Sequence, residues 1–187
     1  MRRHLLGFED EAAHRHAAEA AVQLDAHLRA GGALMPVPTP GYTPDPGEMA
    51  YADVMCTTAR FYATDPVQPP RAGYFENHPS LGRRWVINRR LDAQRLQQAK
   101  TEAQEQWRDH EWARVVLTSE GIRINPLGSP DTWLPFDHVL LTGLTAETDR
   151  QELVLSYSVC APLLLTGPAV PWLVVALEAA CFHRGSS

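Results

Sequence analysis

Residues 83–95 carry the strongest candidate chemistry in this sequence, because they concentrate positive charge around one tryptophan. The run holds five arginines and one aspartate, which is a local charge of +4 (5 − 1). Guanidinium groups bind phosphate through paired hydrogen bonds, and a tryptophan can stack on a base or lie at a membrane interface. The candidate anion-binding residues are Arg83, Arg84, Trp85, Arg89, Arg90 and Arg95. The alternative, which we favour from the sequence alone, is a set of solvated arginines at a helix start with Trp85 in the core.

The remaining reactive residue types lack the spacing of a metal or catalytic site. His14 and His16 would point about 200° apart on a helix, and the other histidines form no H-x-x-x-H pattern. Cys56 and Cys160 are thiols with polar neighbours, but no nucleophile, nucleotide-binding or paired-carboxylate motif accompanies them. We therefore predict no enzyme activity, no metal and no cofactor, and keep a small hydrolase-like enzyme as a third alternative.

Composition and charge restrict the class of protein. The chain has 187 residues, 44% apolar and 21% charged, which is typical of a globular protein, and its net charge of −5 argues against general polyanion binding. Sixteen of its 17 basic residues are arginine, which indicates a GC-rich, bacterial coding genome, and the one lysine, Lys100, has no glycine-rich loop before it. The three cysteines form no C-x-x-C pair. The basic start of the chain has too short an apolar core for a secretory signal, and residues 159–182 are interrupted by prolines. We expect a cytoplasmic protein without a transmembrane segment, or one peripheral to the membrane.

The N-terminal part of the chain reads as a helix followed by a linker. Helical spacing of alanine and leucine predicts a helix from Glu9 to Arg29 that ends at Gly31-Gly32. Five prolines between 36 and 47 predict a stiff linker. We therefore divide the chain into a helical appendage (1–32), a linker (33–47) and a main domain (48–187). Leu24 and Leu28 are candidate docking residues for a protein partner or a second copy, although docking on the chain's own domain is the favoured interpretation.

The main domain reads as short strands closed by a helix. Trp172 is expected to seat that last helix, so Trp172→Ala would cost about 3–5 kcal/mol if the side chain is fully buried. A helix of about 89–112, with Leu96, Ala99, Ala103 and Trp107 on one face, interrupts the strands. The predicted strands are 49–63, 84–88, 114–118, 122–125, 132–141, 153–159 and 163–166, with a loop at 66–79 and the final helix at 172–183. This pattern predicts an α+β fold with a curved antiparallel sheet or small barrel.

From Gly47 to Phe182 the chain resembles the pleckstrin-homology-like (PH-like) superfamily, including the GRAM and bacterial PH-like domains. The matching segments are Gly47-Glu48, Val116–Ile122, Trp133 with Phe136–Val139, Leu153–Leu155, Leu163–Pro168 and the closing helix. The sequence departs from the family at the helix 91–112, which is either an insertion or a sign of a different structure. The resemblance implies a non-enzymatic module that binds lipid head groups, peptides or proteins, and it names no ligand.

These observations lead to one expected function and one alternative. We expect an adaptor or binding module that recognises a protein partner, self-association included, or an anionic lipid head group. The alternative is a nucleic-acid-associated protein that uses the Arg83–Arg95 cluster.

Overall fold

The computed structural model describes residues 2–80, 82–129 and 131–182, and it confirms the predicted α+β class. The helices of this part are α1 (Arg2–Arg29), α2 (Arg89–Glu102) and α3 (Val170–Phe182). The strands are β1 (Ala50–Tyr62), β2 (Gly73–His78), β3 (Gly82–Ile87), β4 (Gln106–Thr118), β5 (Gly121–Pro126), β6 (Leu134–Asp137), β7 (Leu141–Glu147), β8 (Glu152–Tyr157) and β9 (Leu163–Thr166). Short 3-10 helices cover His138–Leu140 and Thr148–Arg150.

The chain divides into two compact units. The first, the sheet unit, contains the residues up to Phe61 and those from Trp107 onward. The second, the inserted unit, is Tyr62–Gln106, and it contains the hairpin β2–β3 and the helix α2.

Seven strands of the sheet unit form one antiparallel sheet in the order β6-β5-β4-β1-β9-β8-β7. Two three-stranded meanders, β4–β6 and β7–β9, therefore flank β1. The Ser119 amide donates to the Met49 carbonyl, while the Thr58 hydroxyl donates to the Glu111 carbonyl, so β1 and β4 run in opposite directions. The edge strands β6 and β7 do not pair with each other, so the sheet is open and the predicted small barrel is excluded.

The core lies between the sheet and α3. Leu153, Leu155 and Tyr157 alternate along β8 as buried residues, as expected for a strand with one face on the core. Leu173 and Leu177 of α3 are 2% and 1% exposed and belong to the same buried cluster. The helix α1 contacts α3, and its small Ala21 side chain, 7% exposed, permits a close approach.

Three secondary-structure predictions were wrong. The helix predicted for 89–112 ends at Glu102, and the following residues form β4, so Trp107 and Trp112 lie on a strand. Trp107 packs against Phe61 with ring centroids 5.1 Å apart, a contact with β1 that outweighs local helix propensity. The predicted loop at 66–79 contains β2. The predicted strand 132–141 is interrupted, because β6 ends at Asp137 and a 3-10 helix, His138–Leu140, separates it from β7.

Glu48 connects the proline-rich segment to the sheet through a buried polar network. Its side chain is 1% exposed, and Oε1 accepts from the Thr118 hydroxyl at 2.6 Å and from Arg123 at 2.9 Å. Oε2 accepts from the Tyr42 hydroxyl at 2.9 Å and from the Asp45 amide at 3.0 Å. Both carboxylate oxygens are therefore satisfied, which a buried charge requires.

Arg123 extends this network to β6. Its guanidinium group is 9% exposed and also donates to Asp137 at 2.8 Å. Burial by itself would raise the pKa of Glu48, but the hydrogen bonds and the charge of Arg123 outweigh it and hold that pKa below its ordinary value. The ionised pair is thus the stable form in the folded protein.

A second arginine, Arg114, connects an earlier part of the proline-rich segment to the sheet. Arg114 binds both carboxylate oxygens of Asp53, at 2.6 and 2.7 Å, and donates to the Pro40 carbonyl at 2.7 Å. The Tyr42 ring packs on Trp133 with centroids 4.7 Å apart. The linker predicted at 33–47 therefore contacts the sheet through named side chains.

We predict that Glu48→Gln makes stability less dependent on pH. A carboxyl whose pKa is lowered by folding contributes stability above its unfolded pKa, and this is lost as pH falls through the folded value. The free energy of unfolding of the wild type should therefore fall below about pH 4.5 more steeply than that of the variant. Near neutral pH the variant should be less stable by about 3 kcal/mol. Denaturant titrations at several pH values measure the free energy of unfolding, with Glu178→Gln, at an exposed residue, as the control. The same pH dependence in the wild type and in Glu48→Gln would contradict the prediction.

We predict that Leu177→Ala destabilises the protein by about 2–5 kcal/mol, because it leaves a cavity between α3 and the sheet. Trp172 is only half-buried, so the full burial on which a cost of about 3–5 kcal/mol was conditional is not met. Trp172→Ala should accordingly cost less than Leu177→Ala. Denaturant midpoints of the two variants check the order, and the reverse order would show that Trp172 is the main contact of α3.

Candidate anion-binding surface

The hairpin β2–β3 of the inserted unit places aromatic and basic side chains on one face. In an antiparallel pair, directly opposite residues share a face. The register pairs Phe75 with Trp85, Gly73 with Ile87 and Asn77 with Arg83. The side chains of Phe75, Trp85 and Ile87 are 57%, 48% and 40% exposed. This face, here called the aromatic face, is therefore apolar and open to solvent.

Contacts among its own members hold the aromatic face in shape. The Phe75 and Trp85 rings meet edge to face with centroids 4.9 Å apart, and the Arg83 guanidinium lies 4.2 Å from the Phe75 ring centroid. The Trp85 ring also covers Gly73, where a Cβ atom would come within 2.5 Å of it. Gly73 is therefore the residue that lets Trp85 lie flat across the hairpin.

Arg84 lies on the opposite face of the hairpin. The register pairs it with Glu76, and the two side chains form an ion pair at 3.1 Å. Both side chains are about half exposed, and exposed pairs of this kind contribute little to stability. Glu76 offsets the charge of Arg84, so Arg83 is the hairpin's main positive contribution to the aromatic face.

The other candidate arginines lie on α2. Asn88 caps this helix by accepting from the Leu91 amide at 3.1 Å, and Asp92 anchors it by accepting from the amide of the buried Ala72 at 3.0 Å. Arg89 and Arg90 occupy the first turn, where positive charge opposes the helix dipole. An anion close to this turn would offset that cost.

Arg95 does not converge with these two arginines. Positions on a helix advance by about 100° per residue, which separates Arg95 from Arg89 and Arg90 by more than about 100°. All three side chains are exposed, and α2 has no buried residue among its described positions. The six predicted residues thus form a broad charged surface, with Arg83 and Trp85 as the pair that the fold brings together.

Sequence reasoning missed Phe75 and Ile87 and misplaced Trp85. The alternative interpretation put Trp85 in the core, whereas it is 48% exposed. Phe75 was missed because residues 66–79 were taken as one proline-rich loop. Two residues of the sequence indicate a hairpin here, namely Pro79, and Gly82 with its φ of +67°.

The candidate docking residues Leu24 and Leu28 face their own unit. Leu24 packs against the buried core cluster, and Leu28 lines a pocket together with Ala179 and Ala180 of α3. Both leucines are half-buried. A partner would have to compete with these internal contacts to reach them.

The cysteines predicted as weak nucleophile candidates lie in different environments. Cys56 is fully buried, and burial raises its pKa to about 12, which disfavours the reactive thiolate. Cys160 is exposed. Within the described ranges, no group of three or more His, Cys, Asp or Glu side chains is placed to hold a metal ion.

Comparison with known proteins gives no match to a family model, to a curated protein or to a solved structure. Of the helices in the described segments, none is both long and apolar enough to cross a membrane.

We predict that Gly73→Ala displaces Trp85 and destabilises the hairpin by about 1–3 kcal/mol, because the new methyl group overlaps the indole ring. The indole N–H signals of the five tryptophans report this in ¹H–¹⁵N spectra, with Trp85→Phe providing the assignment. Gly128→Ala is the matched control, since a Cβ there meets nothing within 4 Å. A Trp85 signal unmoved by Gly73→Ala would mean that the ring does not rest on Gly73.

Proposed function

We propose that this chain is a non-enzymatic, PH-like binding module that attaches to anionic lipid head groups through its inserted unit. The observation that carries the proposal is the exposed aromatic face of the hairpin, with Arg83 stacked on Phe75 beside Trp85. A protein partner and a nucleic acid are the competing ligands.

The aromatic face combines apolar rings with positive charge, which is the composition expected of a surface that lies at a membrane interface. Indole rings are favoured at the level of lipid head groups, where an apolar body and a polar N–H are both satisfied. Each arginine near an anionic leaflet contributes about 1 kcal/mol. Three large apolar side chains, Phe75, Trp85 and Ile87, are exposed together on one face. Exposed apolar patches of this kind mark interaction sites.

The charge distribution of the chain supports the same ligand. The inserted unit has seven basic and five acidic residues, a charge of +2 (7 − 5), so the remainder carries −7 (−5 − 2). A negatively charged surface would attract the inserted unit and repel the rest of the chain. This asymmetry favours attachment through the inserted unit.

The PH-like assignment rests on the arrangement of the sheet unit. Its first strand, β1, pairs with its last strand, β9, and α3 follows β9 and packs on the sheet. The segments that carry the resemblance, among them Val116–Ile122 and Leu163–Pro168, include the β4–β5 turn and β9. The inserted unit replaces the connection between β1 and β4, where the sequence departs from the family.

We predict that the protein sediments with phosphatidylcholine vesicles only when they contain phosphatidylserine, and that added salt weakens this binding. The triple variant Arg83→Glu, Arg89→Glu, Arg90→Glu should bind at least about 100-fold more weakly, since it loses three favourable charges. The charge-matched control reverses Arg15, Arg29 and Arg150, which are exposed residues of the sheet unit. The control should bind like the wild type.

A second pair of variants separates the aromatic contribution from charge. Trp85→Ser should weaken binding even at the higher salt concentration, whereas Trp112→Ser, at a 55% exposed tryptophan of the sheet unit, should not. Equal losses in the triple variant and its control would overturn the proposed site. Salt-sensitive binding to an oligonucleotide without vesicle binding would establish the nucleic-acid alternative. Absence of both would leave the aromatic face to a protein partner and refute the lipid proposal.

A further inference from the structure

The strand β7 forms an edge of the seven-stranded sheet that is open to pairing. Of the described strands, only β8 pairs with β7, so the other side of β7 has backbone N–H and C=O groups without a strand partner. Its sequence contains no proline, lysine or arginine, and its one charged residue is Glu147, at the end. Proteins commonly place such residues on an edge strand to prevent pairing with another chain. The edge at β7 therefore lacks the usual side-chain protection.

The opposite edge of the sheet, β6, has this protection. The strand has only four residues, and the second of them is Pro135, which has no backbone N–H to donate. Short edge strands and prolines both prevent edge-to-edge association. Two copies of the seven-stranded sheet can therefore pair only through β7. Such a symmetric contact is complete when two copies have met, so it produces a dimer and not a filament.

The part of β7 that can pair regularly is short and well defined. The register with β8 shifts between Leu141 and Gly143, which marks a bulge at the start of the strand. After the strand, Thr148–Arg150 form a 3-10 helix. The regular part is therefore Gly143–Glu147, and we call it the β7 edge segment.

The β7 edge segment is complementary to a second copy of itself. In an antiparallel pair with its two-fold axis at Thr145, this threonine lies opposite Thr145 of the second copy. Leu144 then lies opposite Ala146, and both are half-buried residues that pack against the core cluster, so this apolar pair belongs to the inner face. On the outer face, Gly143 lies opposite Glu147. This register opposes no like charges, and it joins two threonines, a favourable cross-strand pair.

We propose that two copies of this chain associate through the β7 edge segment, in an antiparallel pair centred on Thr145, to form one continuous sheet. The pairing provides hydrogen-bond partners for the backbone groups of the free edge, and it joins the Leu144 and Ala146 side chains of both copies on the inner face. A contact this small lies below the size of stable dimer interfaces, so the association is weak and depends on concentration. It involves only residues of the sheet unit, so it is independent of the proposed lipid surface.

Analytical ultracentrifugation of the full chain, in a concentration series without vesicles, tests this proposal. The apparent mass of the wild type should rise from that of one chain, 20.8 kDa, towards twice that value. Thr145→Lys should weaken the association at least about ten-fold, because it places like charges directly opposite each other. Thr132→Lys, at an exposed threonine outside β7, adds the same charge and should associate like the wild type.

A complementary charge tests the register. Thr145→Glu alone should also stay monomeric, whereas an equimolar mixture of Thr145→Lys and Thr145→Glu should form dimers, because opposite charges then face each other. This recovery also shows that both variants are folded. Hydrogen exchange locates the contact: the amides of residues 143–147 should exchange more slowly in concentrated than in dilute protein, and those of β6 should not change.

Three results would overturn the proposal. A wild type with the mass of one chain at every concentration would exclude self-association and leave the β7 edge segment to a strand of another protein. Association that survives Thr145→Lys would place the contact elsewhere on the chain. A mixture of the two charged variants that stays monomeric would refute the two-fold register at Thr145, and masses above two chains would refute the closed dimer.

Discussion

The buried ion pair between Glu48 and Arg123 is the interaction on which the rest of the sheet unit depends. The proline-rich segment cannot form a regular ladder of backbone hydrogen bonds, so side chains must fix its position. Glu48 does this by accepting four hydrogen bonds. Arg123 binds both Glu48 and Asp137, and so connects this segment to β6. Removing such a pair from water is costly, and it is tolerated here because Glu48 accepts four hydrogen bonds and Arg123 contacts two carboxylates. The path of the chain from α1 into β1 follows from this arrangement.

The two units differ in how they use their apolar residues. The sheet unit buries leucines and valines between its strands and α3, with Val115, Leu117 and Leu155 fully inaccessible to solvent. The inserted unit leaves Phe75 and Trp85 half exposed and keeps α2 polar. A two-stranded hairpin is only marginally stable alone. The stability of the inserted unit therefore depends on a few contacts, such as the Arg83–Phe75 cation–π contact and the hydrogen bond from the Ala72 amide to Asp92. The sheet unit is therefore densely packed, whereas the inserted unit leaves large apolar side chains in contact with solvent.

Local patterns predicted the elements that depend on local physics. The strand Leu163–Thr166 was predicted with its observed bounds, and the β4–β5 turn follows from Gly121. Prediction failed where pairing with another strand determines the secondary structure. The residues of β4 form a strand because they pair with β1, and β2 forms only as the partner of β3. The candidate arginines were visible in the sequence, but their separation over two faces of a hairpin and around a helix was not. Phe75 joins Arg83 only through the cross-strand register, which composition does not encode.

The adjacency of β1 and β4 determines how little the sheet requires of the segment that connects them. These neighbouring antiparallel strands bring the start and the end of residues 62–106 together, so the chain leaves the sheet and returns at nearly the same place. A tight turn would satisfy the same connection without altering a strand of the sheet. The pairing of β1 with β4 therefore does not depend on the length of the segment that the inserted unit occupies. Glu48 and Arg123 both lie outside residues 62–106, so a shorter or different connection would leave their ion pair in place.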